Sequence, residues 1–299
     1  MANRSLPERD EDVPGFVADL GIPGICDIHV HFMPMPLQRR VWEYFDRLAP
    51  PWPMAYRGDV GERLTALRNL GAVAHTALAY AHKPGMAAWL NRFTLDLAAD
   101  QDPVVPTFTF YPDPDVDRYV AAALAEGGRC VKVHLQVGKF DANDRRLDGV
   151  WSELAALRVP VVLHAAAVPD GSGGEEFCGA HHVVRLLERF PDLLLVIAHL
   201  GAPEFGDFLR LAEDVPTVHL DTAMALTDPD FIGRLPDRYL DRFAALGDRI
   251  VFGSDFPSIP VRYVDQVQGV ARLDVDDGWL RRVFWENPAR LLRIDGRSP

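Results

Sequence analysis

Eight apolar, β-branched runs recur along this chain, at residues 24–32, 72–80, 104–111, 130–135, 159–165, 193–200, 217–222 and 250–256. Between most of them lie stretches of helical periodicity, among them 150–157, 182–190 and 203–213, where apolar residues return every three or four positions. Strands alternating with helices pair in parallel. From His29 to Asp255 the spacing averages about 32 residues per run, a comfortable length for one βαβ unit. Eight such units in 299 residues predict an α/β fold of the (β/α)8 TIM-barrel type. The competing fold is a doubly wound open sheet, which usually carries a glycine-rich nucleotide turn after its first strand. Here the first run leads instead into Phe32-Met33-Pro34-Met35-Pro36, which cannot cradle phosphates. The expectation is one barrel domain over 1–299, with an extension at 1–23, the barrel at 24–292 and a tail at 293–299.

Charge and cysteine usage narrow the function classes. A formal net charge of −12 repels polyphosphate, so nucleic acid is not an expected partner. No stretch approaches the roughly 18 apolar residues of a membrane span, and residues 1–12 are too charged to form a signal peptide's apolar centre. Cys26, Cys130 and Cys178 are widely spaced, without a C-x-x-C pair, as suits reduced thiols. A cytoplasmic protein acting on a small molecule, with no membrane partner, is the resulting expectation. Two connections exceed the barrel minimum. Residues 32–57 hold Trp42, Tyr44, Phe45, Trp52 and Tyr56, and residues 166–179 include Asp170-Gly171-Ser172-Gly173-Gly174. Both follow strands and so belong at the catalytic mouth, where the aromatic one is a candidate substrate wall or lid.

Asp27-Ile28-His29-Val30-His31 is the first chemical signal. On a strand, positions two apart share a face, so His29 and His31 converge, with Asp27 on the same side and Ile28 and Val30 on the other. Two neutral imidazoles suit a divalent transition metal. Three later runs end in further donors: His164 after Val161-Val162-Leu163, His199 after Val196-Ile197-Ala198, and Asp255 in Gly253-Ser254-Asp255-Phe256-Pro257. In a parallel barrel those tips meet at one mouth. Imidazoles with a carboxylate fit Zn²⁺ first, with Mn²⁺ or Fe²⁺ as alternatives.

These motifs, together with Glu286-Asn287-Pro288-Ala289-Arg290-Leu291-Leu292, make the chain resemble the amidohydrolase superfamily, in the amidohydrolase-related group that includes aminocarboxymuconate-semialdehyde decarboxylase-like enzymes. The resemblance runs from about residue 24 to 292 and implies a distorted barrel with a mononuclear or binuclear metal centre. Carried over by position, His29, His31, His164 and Asp255 hold the metal. His199 stands beside it as a catalytic residue, unless it is a fourth imidazole ligand, and either His199 or Asp255 serves as the base. Related barrels are often dimers, which makes a homodimer the assembly to test.

Lysine is scarce here (Lys83, Lys132 and Lys139), and Lys132 lies inside a run. In Val131-Lys132-Val133-His134 the polar pair faces one way, into the barrel. A buried ammonium needs a partner. Lys132 is read as an anchor for a substrate carboxylate or part of a buried ion pair. The resemblance adds a third option, a carboxylated lysine bridging two metals. His134, nearer the mouth, is a candidate substrate contact, and Asp221 a candidate to orient a ligand histidine. Cys178-Gly179-Ala180-His181-His182 is not expected to bind a second metal, and Asn287 with Pro288 reads as a helix cap. The leading expectation is a hydrolase of a small amide, ester or lactone using metal-activated water. The alternative is a metal-dependent non-oxidative decarboxylase of an aromatic or unsaturated acid. A purely structural metal site would favour thiolates, which these motifs lack.

Overall fold

The computed structural model describes residues 5–48, 52–168, 173–227 and 233–294. Among the described residues nine short strands, all paired in parallel, form two hydrogen-bonded pieces, ordered β1-β2-β3 and β4 to β9. They are β1 (Ile25–Asp27), β2 (Ala72–Thr76), β3 (Val104–Val105), β4 (Thr107–Thr109), β5 (Cys130–His134), β6 (Val161–His164), β7 (Leu195–Ile197), β8 (Val218–Asp221) and β9 (Ile250–Val251). The third apolar run is thus split at Pro106, which lacks the N–H a ladder requires. Thr107 Oγ1 reaches across the break and donates to the Ala77 carbonyl at 2.6 Å. The other seam closes beyond the strand ends: Ile28 N–H donates to Phe252 O at 3.1 Å, Asp255 N–H to His29 O at 2.7 Å and His31 N–H to Phe256 O at 2.7 Å. The eight sequence runs therefore build a distorted TIM barrel.

Alternation sorts the strands into two cores. Val131, Val133, Leu163, Ile197 and Leu220 face the outer helices, while Cys26, Ile28, Cys130, Val162, Val196 and Val251 fill the barrel. A one-residue slip would turn Lys132, His134 and His164 into the apolar layer beneath the helices, where an ammonium costs heavily without a partner, so the register is fixed. The first strand departs from this rule. Ile28 lies in the inner cluster but Val30 in the outer one, so they do not share a face. Asp27 turns to the Tyr263 hydroxyl, 3.0 Å away, rather than joining the two histidines. Regular pairing stops at Asp27, which lets the chain rotate before His29.

The surrounding helices follow the sequence pattern closely, at Asp148–Leu157, Ala180–Arg189 and Phe205–Asp214. Val183, Leu186 and Leu187 of the second are buried, the spacing of one helix face. The aromatic connection is not mainly loop: Met35–Asp46 is a helix with Pro36 in its first turn, where proline costs nothing. Trp42 is buried beneath the Arg57 and Arg63 guanidiniums. The Asp170-Gly171-Ser172 part of the second connection lies outside the described residues. Its beginning is tied by Gln136, whose amide accepts from Val168 N at 2.8 Å and donates to Val168 O at 2.6 Å.

Asn287 is not a cap. It sits where helix Asp277–Arg281 passes through a π turn, Arg282–Glu286, into helix Asn287–Leu291. Its amide donates to Gly247 O and Ile250 O, both at 2.8 Å. The wide turn also leaves the Val283 carbonyl to accept from Phe252 N at 3.0 Å, binding the closing helix to the β9 seam. Ala289, Leu291 and Leu292 plug the barrel from below. Among the described residues no helix is long and apolar enough to cross a membrane, and all three cysteines are buried free thiols.

Candidate metal centre

The C-terminal ends of the strands bring His29, His31, Lys132, His134, His164, His199 and Asp255 together, as the run ends imply. Their backbone routes differ. Lys132, His134 and His164 simply continue the inward parity of Cys130 and Val162. His199 and Asp255 arrive through left-handed turns, with φ of 57° and 61°, conformations that cost a non-glycine residue about 1–3 kcal/mol and cluster at functional sites. No side chain fits at Gly253: a Cβ there would lie 2.7 Å from His29 Cβ and 3.2 Å from Asp221 Cγ.

The hydrogen bonds fix which nitrogen of each ring carries its proton. His31 Nδ1 lies 3.0 Å from Leu78 O and His199 Nδ1 3.1 Å from Ala223 O. A carbonyl only accepts, so both Nδ1 atoms are protonated, and in the neutral rings both Nε2 atoms present lone pairs. Lys132 Nζ, an obligate donor as an ammonium, lies 2.9 Å from His29 Nε2. His29 Nδ1 therefore carries the proton and donates to Asp221 Oδ2 at 2.9 Å. Asp221 also accepts from His199 N at 2.9 Å and Ala223 N at 3.1 Å through Oδ1. It orients one imidazole and the backbone of another, as its position at the end of β8 suggests.

Acceptors consequently crowd one point. His29 Nε2 and His31 Nε2 are 3.2 Å apart, and Asp255 Oδ1 lies 2.9 Å from the second and 3.4 Å from the first. His164 Nε2 is buried without any hydrogen-bond partner. Lone pairs and a carboxylate held face to face repel unless a cation lies between them, so this donor set fits a divalent metal ion. Two overlapping triads have the required proximity, His29–His31–Asp255 and His29–His199–Asp221, and His164 falls in neither.

Electrostatics agree. Burial holds the imidazoles of His29, His134 and His164 well below their ordinary pKa, keeping them neutral. Burial raises Asp221, opposed by His199. Lys132, 1% exposed, is pushed by burial down to about 8, against the pull of Asp255 and Asp221.

His134 differs from the ligand candidates. Its Nδ1 accepts from Val137 N at 3.3 Å, so the neutral ring carries its proton on Nε2. The ring stacks on His164, with centroids 3.8 Å apart and planes 15° off parallel. Tyr80, which the motif reading missed, packs edge-on to His31 at 5.6 Å and against His134 at 5.1 Å. Its signal was parity, since it ends the second run in phase with the inward Ala74 and Leu78. Asp27 braces the centre from outside the barrel, its Oδ1 accepting from His29 N and Ser254 N, both at 3.1 Å. His182 Nδ1 instead accepts from Arg185 at 2.7 Å, with Asp141 3.4 Å away, and no metal triad forms there among the described residues.

Solved structures share this architecture. An uncharacterised TIM-barrel protein from Bordetella bronchiseptica is 18% identical, covering 91% of this chain and 99% of its own, with a TM-score of 0.72. 5-Carboxyvanillate decarboxylase from Sphingomonas paucimobilis is 15% identical, covering 91% and 99%, with a TM-score of 0.64. A dihydroxybenzoic acid decarboxylase from Polaromonas sp. JS666, with bound manganese and an inhibitor, is 14% identical, covering 92% and 98%, with a TM-score of 0.67. No curated protein matches the sequence significantly. The amidohydrolase family model, however, matches residues 26–294, from just before the paired histidines to the end of the closing helix, and the chain belongs to the amidohydrolase family.

Proposed function

We propose that this enzyme is a metal-dependent, non-oxidative decarboxylase of a small aromatic or unsaturated carboxylic acid. The observation that carries the reading is the charge at the mouth. Beside the acceptor cluster stand the Lys132 ammonium and the His134 imidazole. A divalent cation on His29, His31, His164 and Asp255 leaves the site net positive, and a monoanionic acid neutralises it. Tyr80 adds an aromatic edge beside His31 and His134, a surface for a flat ring. The decarboxylase activities of two proteins similar in fold, one with manganese, support the same choice. Zinc and manganese are both candidates for the ion.

When bound, such an ion supplies Lewis acidity that steadies the electron pair left as the carbon–carbon bond breaks. Lys132 and the His134 Nε2–H hold the substrate carboxylate. His199 Nε2, a lone pair in the resting tautomer, takes a proton from solvent and delivers it to the carbon that CO₂ leaves. No water is consumed.

The test is CO₂ release from a panel of carboxylated phenols and unsaturated acids by protein loaded with zinc or manganese. One CO₂ should appear per acid consumed, and His199→Asn should lower kcat about 10²–10⁴-fold without altering metal content. Product from a lactone or ester panel, with no CO₂ from any acid, would overturn the proposal.

A further inference from the structure

Lys132 is placed where it interferes with the ion as well as where it can serve a substrate. Its Nζ lies 2.9 Å from His29 Nε2, and the other nitrogen of that ring is committed to Asp221. An imidazole has one lone pair in its plane. The lone pair that receives the Lys132 proton is therefore the one His29 would offer to a metal. The same ammonium interacts favourably with Asp255 and Asp221, the two carboxylates that a divalent ion would neutralise. From these contacts we infer that Lys132 is a built-in counter-cation that competes with the divalent ion for His29. Binding of the ion turns Lys132 off His29 and frees its Nζ for a substrate carboxylate. This rests on the metal reading above and deepens it, because one side chain couples occupancy of the centre to recognition of the acid.

A lysine at this place on the strand can act on the ion in either of two ways. A lysine that helps to hold metal loses affinity or stoichiometry when it is removed. A competing lysine does the reverse.

The experiment measures binding of Zn²⁺ and Mn²⁺ alone, by competition with a chelating dye, to metal-stripped wild type, Lys132→Met and Lys132→Gln. Circular dichroism checks that each variant is folded. The neutral variants should bind about 10–100-fold tighter, the scale on which groups adjoining ligands alter affinity, with stoichiometry no lower than wild type. Weaker or unchanged affinity, or loss of one ion per chain, would overturn the inference. A second measurement uses wild type and needs no folded variant. The chain has three lysines, Lys83, Lys132 and Lys139, so protein labelled with ¹⁵N at lysine Nζ gives a simple spectrum. The Lys132 resonance should move as the first equivalent of Zn²⁺ is added, and a resonance that stays in place would count against the competition. Should wild type retain no ion at all, the metal reading falls and the inference with it; retained ion with an unmoved resonance sinks the inference alone.

Discussion

Asp221→Asn isolates the contribution of one carboxylate to the centre. Asp221 accepts three bonds, from His29 Nδ1 at 2.9 Å, His199 N at 2.9 Å and Ala223 N at 3.1 Å. Asparagine keeps the shape but has one accepting oxygen and one donating NH₂, so a donor must face a donor on one side. If the NH₂ faces His29, the ring must shift its proton to Nε2, removing the lone pair that a ligand requires. If it faces His199 N and Ala223 N, the turn that carries His199 loses its anchor. A hydrogen bond to a charged group contributes about 1.5–3 kcal/mol, and a buried unsatisfied donor costs about 1–3 kcal/mol. Loss of a partner that orients a ligand typically costs about 10–100-fold in metal affinity, which corresponds to about 1.4–2.8 kcal/mol. The two scales agree. Zinc and manganese affinity by dye competition, with thermal unfolding alongside, should show both losses. Affinity within twofold of wild type, in a folded variant, would refute the claim that Asp221 sets the His29 tautomer.

Two further outcomes follow from the packing. Gly253→Ala puts a methyl 2.7 Å from His29 Cβ, so thermal unfolding should register about 1–3 kcal/mol of overpacking, and metal affinity should fall with it. Burial also pushes His75 and His219 down to about 4 from an ordinary 6.5. Between those values the unfolded chain binds protons that the folded chain refuses, so stability is full above about pH 6.5 and declines as the pH falls toward 4. Urea unfolding at several pH values should show that slope, and His75→Gln should flatten it by up to about 3 kcal/mol across the window.

What the sequence made legible was what parity governs. Lys132, His134 and His164 could be aimed inward from Cys130 and Val162 because side chains alternate along β5 and β6. His199 could not be derived that way. It is out of phase with the inward Leu194 and Val196, and a left-handed turn at His199 and Leu200 brings it back. Asp27 misled for a related reason: alternation assumes a continuous strand, and pairing ends at that residue. Asn287 misled through local statistics, since Asn-Pro usually begins a helix. A π turn instead carries the helix through that position, and the amide serves carbonyls some 40 residues away in sequence. Asp221's bond to His29 spans 192 positions, and nothing local to either residue encodes that distance.

The imidazoles take their aim from rigid scaffolding: His31 from the Leu78 carbonyl, His29 from a carboxylate at the tip of β8, His199 from the Ala223 carbonyl just past it. None of these props belongs to the long connection after β1 or the one after β6. Those segments are thus at liberty to diversify in length and chemistry without retuning the ion. Reactivity and substrate preference become separately inheritable, and grafting foreign connections onto this frame is a practical way to change what it accepts while leaving its reactive core intact.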